Sequence, residues 1–322
     1  MDIFEKDSPP KKHIHIISIG NQMMIDLAVS LKEKGYEVSG SDINIKEPFL
    51  TRLKETGLLP EKEGWYPENI TKELTTVVPA IHIDKENPEL MESKNAGVLI
   101  MSFPEFIFER TKEKTRVVIA GSKNRSCPLS IVLNVLKRQN VEFDYIINNP
   151  VKGFERLASL NYDSRIAIIE GDEFATAAME NHSMLQFYRP HIALINCIDK
   201  TLSKPPVSPD EYFQIFKDFV NQIERDGKFI YNQTDENLST LAETVREDVT
   251  AIPYDKADVK TVDKRKVLDT RFGEFPIKIP KACISDECVL KNINGARLVC
   301  RHLGIQDKDF YSSLSEYTLG KC

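Results

Sequence analysis

Two turns in this sequence carry groups that could handle phosphate. In the first, RVVIAG (Arg116–Gly121) runs into Ser122-Lys123-Asn124-Arg125-Ser126 and then into a nearly continuous apolar helix pattern at Leu129–Gln139. A strand, a glycine turn, a cation and a hydroxyl before a helix are the parts of a phosphate-binding loop. Backbone N–H groups cradle the anion, the cation reaches the terminal phosphates and the hydroxyl ligates a metal. Here Asn124 stands where a second glycine is usual and Arg125 where a lysine is. Arginine keeps the charge but is planar and wider, so the exchange is not neutral. Glu170, ending the apolar run RIAIIE (Arg165–Glu170), is an oxygen donor of the kind that suits hard Mg²⁺, or equally a carboxylate capping the next helix.

In the second turn, HIHIISIG (His13–Gly20) leads into a helical pattern over Gln22–Lys34, so the helix N-terminus faces whatever binds at Gly20. A second apolar run, Tyr36–Asp42, ends in an acidic residue 22 positions after Gly20, the spacing of a dinucleotide-type βαβ unit. Gly20-Asn21-Gln22 holds one glycine where three are usual, which also fits an ordinary turn. Asp42 can accept from a ribose or cap a helix.

The elements that position these residues alternate. Further strands are expected at Thr76–His82, Gly97–Met101, His191–Cys197 and Lys228–Asn232, with an amphipathic helix over Asp210–Glu224. His82 and His191 fit satisfied strand histidines. KVLDTRFGEFPIKI has a hairpin pattern, and VLKNINGARLVCRHLG a helix crossed by an awkward Asn-Gly step. Alternation of this kind predicts mostly parallel sheets covered on both faces: an α/β chain with an N-terminal Rossmann-like doubly wound domain (1–114) followed by a P-loop-type α/β domain (115–322).

Composition agrees. The 322 residues suit about two domains, and the net charge of −6 offers no basic face for nucleic acid. No run approaches the ~20 apolar residues of a membrane span, and the polar N-terminus lacks a signal-peptide core. A cytoplasmic protein with small-molecule partners, and neither nucleic acid nor membrane, is the expectation. The six cysteines suggest reduced thiols. Cys283 and Cys288 could form half of a metal site, but no second pair answers them.

In order, HIISIG with YEVSGSD, GLLPEKEGWYPENIT, ENPEL, SFPEF, TRVVIAGS, IIEGDEF, FYRPHIALIN and NINGARLVCRHLGI make the chain resemble the Mur ligase family, and within it the ligases of murein-peptide recycling. The resemblance implies a UDP-sugar site in the first domain, for which Gly20, Asn21, Ser41 and Asp42 are the candidates. It implies ATP and Mg²⁺ in the second, with Gly121, Ser122, Asn124, Arg125, Ser126 and Asn292 around the nucleotide and Ser126 and Glu170 on the metal. A third family domain would begin about where the sequence stops, so it is expected to be absent from this chain. The family's second metal-site imidazole falls at Thr201-Leu202, and its His-Asn pair near Cys288-Val289. The expectation is a protein of peptidoglycan precursor metabolism or recycling that binds a UDP-muramoyl-type ligand with ATP-dependent ligation impaired or lost; the alternative is an active amide ligase.

Overall fold

The structure is a computed structural model and describes residues 12–161, 163–173, 183–203, 207–263, 265–278 and 286–318. Cys283 lies outside them, so the half-site with Cys288 is not described. The chain divides into two compact units. The first runs to Ile107 and also takes in the later stretch Arg156–Tyr162.

In the first unit, β1 (His13–Ile17) lies between β2 (Glu37–Ser41) and β3 (Thr76–Pro79), all parallel. β1 buries Ile14, Ile16 and Ile17, as a central parallel strand must. α1 (Gln22–Glu33) starts where the Asn21 side chain accepts from Met24 N–H, and it buries Leu27, Ala28 and Leu31. Asp26, also buried on α1, is compensated by an ion pair with Arg52 of α2 (Phe49–Thr56) and by Leu157 N–H at 2.8 Å. α3 (Pro88–Ala96) follows an Asn87 cap. Two expectations need correction here. Gly97–Met101 forms only an isolated bridge, Val77 with Ile100, because Gly97 is the left-handed end of α3 and leaves too few residues to extend. β3 stops at Pro79, so His82 is an exposed residue beyond the strand and not a strand histidine.

α4 (Phe103–Thr111) carries the chain into the second unit, and the expected division at Lys114 falls between α4 and the next strand. There the elements are β4 (Thr115–Ala120), α5 (Ser126–Arg138), β5 (Asp144–Ile146), then β6 (Ala158–Ser159) within the stretch that belongs to the first unit. After it come β7 (Ile166–Glu170), β8 (Ile192–Ile195), α6 (Pro209–Asn221), β9 (Lys228–Asn232), α7 (Glu236–Ala242) and β10 (Thr250–Tyr254). Strands of the second unit run side by side in the order β10-β9-β8-β4-β7-β5, parallel throughout. Because β4 sits between β7 and β8, the turn after it opens where the winding reverses, the usual ligand position in such sheets. β11 (Val259–Val262), β12 (Arg265–Thr270) and β13 (Gly273–Pro276) form a small antiparallel sheet that contains the expected hairpin. α8 (Asp286–His302) passes unbroken through Asn294-Gly295, since a Cβ at Gly295 would meet the Tyr254 ring at 2.9 Å. α9 (Asp307–Ser315) follows.

Candidate functional site

The loop after β4 keeps the shape of an anion cradle. Gly121 has φ 143°, and a Cβ there would lie 1.9 Å from Asn196 Oδ1, so only glycine fits. Asn124 has φ 57°, the left-handed conformation that asparagine tolerates better than other non-glycine residues. Ser122 is drawn inward: its Oγ accepts from Asp199 N–H at 2.9 Å and lies 2.8 Å from Tyr212 Oη. Ser126 opens α5.

Arg125 does not point outward to meet phosphate. Its Nη1 donates to Gly121 O at 3.1 Å and to Glu173 Oε2 at 2.9 Å, its Nη2 lies 3.5 Å from Asp172 Oδ2, and its Nε lies 3.4 Å from Glu170 Oε1. Glu170 and Glu173 are almost fully buried, with side chains 4% and 1% exposed. Their other oxygens take Asn148 N–H at 2.8 Å and lie 3.0 Å from Tyr212 Oη. Burial raises both carboxyls above the ordinary glutamate range, and the pull of Arg125 only partly offsets it. Mg²⁺ demands near-octahedral oxygens at about 2.0–2.1 Å. Here the carboxylates are spread around a guanidinium, and among the described residues no three His, Cys, Asp or Glu side chains converge on a common point. The donors have the right chemistry, but the arrangement does not fit the ion. Leu202 supplies nothing in its place: it ends a short 3₁₀ turn, 38% exposed.

Beside the loop, a cavity of about 330 Å³ is lined by Lys123, Asn124, Asn196, Cys197, Asn232, Cys288, Lys291 and Asn292, among others. Asn292 is buried: its Oδ1 accepts from Asn196 Nδ2 at 3.4 Å, and its Nδ2 lies 3.5 Å from Cys288 Sγ. Val289 is buried. Amides around a pocket of this size can pair with the edge of a nucleobase. Burial pushes the Cys197 thiol up to about 11, so at neutral pH it is an uncharged wall. Lys123 is paired with Asp199 at 3.0 Å.

In the first unit, Asp42 accepts four hydrogen bonds: Gly20 N–H at 2.8 Å and Ser18 Oγ at 3.0 Å on Oδ2, and Ile43 N–H at 2.8 Å and Asn44 N–H at 3.4 Å on Oδ1. A carboxylate offers about four lone-pair sites, so all of them are taken within the chain. Ser41 Oγ donates to the buried Glu89 at 2.5 Å, and Glu89 also takes Tyr66 N–H at 2.7 Å. Burial works to raise the Glu89 carboxyl, but the His15 imidazole 3.5 Å away and hydrogen bonds from Ser41 and Tyr66 outweigh it and hold it below its usual value. Past the carboxyl ends of the strands, a cavity of about 390 Å³ is bounded by Ser18, Asp42, Ile43, Trp65, His82, Ile83, Asp84, Glu86 and Asn87.

The structure therefore brings together Gly121, Ser122, Asn124, Arg125 and Glu170, with Asn292 across the neighbouring cavity. Gly20, Asn21 and Asp42 meet each other's turn, its backbone and the Ser18 hydroxyl, while the Ser41 hydroxyl is held by Glu89. Sequence reasoning passed over Asp172, Glu173, Tyr212 and Trp65. Asp172 and Glu173 were readable, since EGDE (Glu170–Glu173) sets three carboxylates in four positions at a strand end.

Residues 13–115 match the family described as Mur ligase family, catalytic domain. Residues 13–115 thus carry a Mur ligase family domain. A UDP-N-acetylmuramate–L-alanine ligase of Clostridium acetobutylicum is 28% identical over 259 residues, 80% of this chain and 54% of the relative, so the chain spans about half that protein's length. The UDP-N-acetylmuramate:L-alanyl-gamma-D-glutamyl-meso-diaminopimelate ligase from Neisseria meningitides is similar in fold, with TM-score 0.79 and 21% identity over 97% of this chain and 100% of that one. A murein peptide ligase from Psychrobacter arcticus 273-4 follows at TM-score 0.76 and 19% identity, over 96% and 68% of the two chains. The α/β architecture with parallel sheets is that of the Mur ligase fold. No helix among the described residues is long and apolar enough to cross a membrane.

Proposed function

We propose that this chain binds a UDP-muramoyl-type ligand of peptidoglycan precursor metabolism or recycling, through residues 1–114, and that ATP-dependent ligation by its P-loop-like part, residues 115–322, is impaired or lost. The observation that carries the second half is the Arg125 guanidinium lying among Glu170, Asp172 and Glu173. Attack of a carboxylate on a γ-phosphate relies on cations that neutralise the phosphates, and removing one such cation typically costs a factor of ~10²–10³. The first half is supported by the family domain, by the ligase activities that name its relatives and by the cavity at the strand ends.

Among the described residues that line it, that cavity has carboxylates but no lysine or arginine, so the neutral nucleoside end of the ligand belongs there and the pyrophosphate outside it. Trp65 and Ile83 offer apolar faces to a base. Among the described residues Asp84 Oδ1 takes Glu86 N–H alone, at 2.8 Å, and has capacity left for a ribose hydroxyl, which Asp42 lacks. One observation favours the working ligase instead: left-handed Asn124 preserves the loop's turn without the second glycine.

Thermal-shift and calorimetric titration with UDP-N-acetylmuramate, its peptides and ATP with Mg²⁺ separate the two, because a ligand of the native state raises its stability. A UDP-muramoyl shift that Trp65→Ala and Asp84→Ala weaken, together with no Mg·ATP shift and no phosphate release, is expected. Asn124→Gly with Arg125→Lys should improve nucleotide binding yet leave ligation undetectable while Leu202 remains. Turnover by the unaltered chain would make the active ligase the correct reading.

A further inference from the structure

The metal implied by the family and the residues at its position disagree, and the disagreement has a structural cause. Glu170 ends β7, and Asp172 and Glu173 follow it, so the backbone sets three carboxylates around one side chain. All three face the same guanidinium. Among the described residues the buried Arg125 Nε finds no hydrogen-bond partner, although Glu170 Oε1 is 3.4 Å away. Charge attraction and not hydrogen-bond geometry keeps that nitrogen there. Lysine at this position would reach past the cluster toward phosphate as a point charge. The planar fork of arginine spans the three carboxylates instead.

We propose that Arg125 is a built-in cation that takes the place of the divalent ion, leaving the loop metal-independent and the Glu170–Asp172–Glu173 cluster a closed divalent-cation site that opens when the guanidinium is removed. The oxygens suit a hard ion, and a +2 ion beside an immobile guanidinium is repelled by it. In the protein as it stands, the guanidinium and the ion compete for the same oxygens, and the tethered group has the advantage of being covalently present at its site. The Tyr212 hydroxyl lies 3.0 Å from Glu173 Oε1 and 2.8 Å from Ser122 Oγ.

This inference depends on the preceding functional reading only for the location of the loop, and its test contains neither nucleotide nor muramoyl compound. Failure here leaves UDP-muramoyl binding untouched, and absence of UDP-muramoyl binding leaves this untouched. The probes are Mn²⁺, followed by electron paramagnetic resonance, and Tb³⁺, whose luminescence a nearby tyrosine such as Tyr212 sensitises. The unaltered chain should show no saturable binding of either ion. Arg125→Ala and the closer-sized Arg125→Gln should each bind one ion at least tenfold more tightly, and Arg125→Ala with Glu173→Gln should lose it again. In EDTA the single variants should melt below the unaltered chain, and Mn²⁺ should return much of the difference. Saturable binding by the unaltered chain that Glu170→Gln removes would overturn the proposal, as would a folded Arg125→Gln that binds no ion. If neither single variant folds even in Mn²⁺, the guanidinium is a structural strut and the closed-site idea is likewise overturned.

Discussion

Each unit builds a turn between a central strand and a helix, and each fills that turn with a side chain of its own. In the first unit the filler is an anion: Asp42 collects the N–H groups of Gly20, Ile43 and Asn44 that could have faced an anionic ligand. In the second it is a cation: Arg125 sits among carboxylates that could have faced a metal. The consequences differ. Asp42 braces a backbone, and its cavity remains open beyond it, whereas Arg125 consumes the groups whose chemistry would be needed. A counter-ion held by N–H groups is scaffold, and one held by buried carboxylates replaces a ligand.

The comparison breaks most easily at the two glycines. Gly121→Ala must adopt φ 143° and push a Cβ onto Asn196 Oδ1, which should cost about 4 kcal/mol. Gly20→Ala needs no unusual φ, but its Cβ would come 2.8 Å from Asp42 Oδ2, a carboxylate already pinned, so about 2 kcal/mol is expected. Urea unfolding of both variants checks the order. If Gly20→Ala proved the costlier, the first turn and not the second would be the rigid one.

Next in size is Asp42 itself. Asp42→Ala strands three N–H groups and the Ser18 hydroxyl, for a loss of about 3 kcal/mol, while Asp42→Asn keeps one acceptor and should lose roughly half as much. As a brace, Asp42 should show its effect in stability; at concentrations where the Asn variant is folded, its UDP-muramoyl affinity should stay within about threefold of the unaltered chain. A tenfold loss in a folded Asn variant would return Asp42 to the ligand.

Much of this fold was legible because burial on both faces makes parallel strands plain apolar runs, as at Arg116–Ala120 and Lys228–Asn232. β5 and β10 were not, being short or broken by a proline, and neither was the antiparallel partner β11. At the site, the turn that holds Gly121 and Asn124 was legible because local spacing sets a strand, a turn and a helix, whereas Asn292 was named only through the family resemblance. Arg125 was recognised as an odd residue, but its direction was hidden: side-chain aim depends on where Asp172 and Glu173 arrive, which is tertiary information. Asp42 was ambiguous for the same reason, since counting its hydrogen bonds requires the backbone that donates them.

The smallest expected effect uses pH to set the two units against each other. Glu89 is held below the ordinary glutamate value of 4.5, so its contribution to stability is present above that value and is lost as pH falls through its lowered folded pKa. Glu170 and Glu173 are raised by burial. Their contribution is full below 4.5 and is lost as pH climbs through their folded values, so the second unit gives up stability on the neutral side. Trp65 is the sole tryptophan and lies in the first unit, so its fluorescence follows that unit, while circular dichroism follows both. On acidification below 4.5, the urea midpoint seen by Trp65 should fall in the unaltered chain and fall less in Glu89→Gln. As pH rises above that value, Glu173→Gln should flatten the dichroism-monitored slope and leave the Trp65 midpoint alone. Equal Trp65 slopes in the unaltered chain and Glu89→Gln would remove Glu89 as the acid-sensitive group. A Trp65 midpoint moved by Glu173→Gln would mean that the two units do not titrate separately, and the contrast between an anion that braces and a cation that replaces would lose its thermodynamic signature.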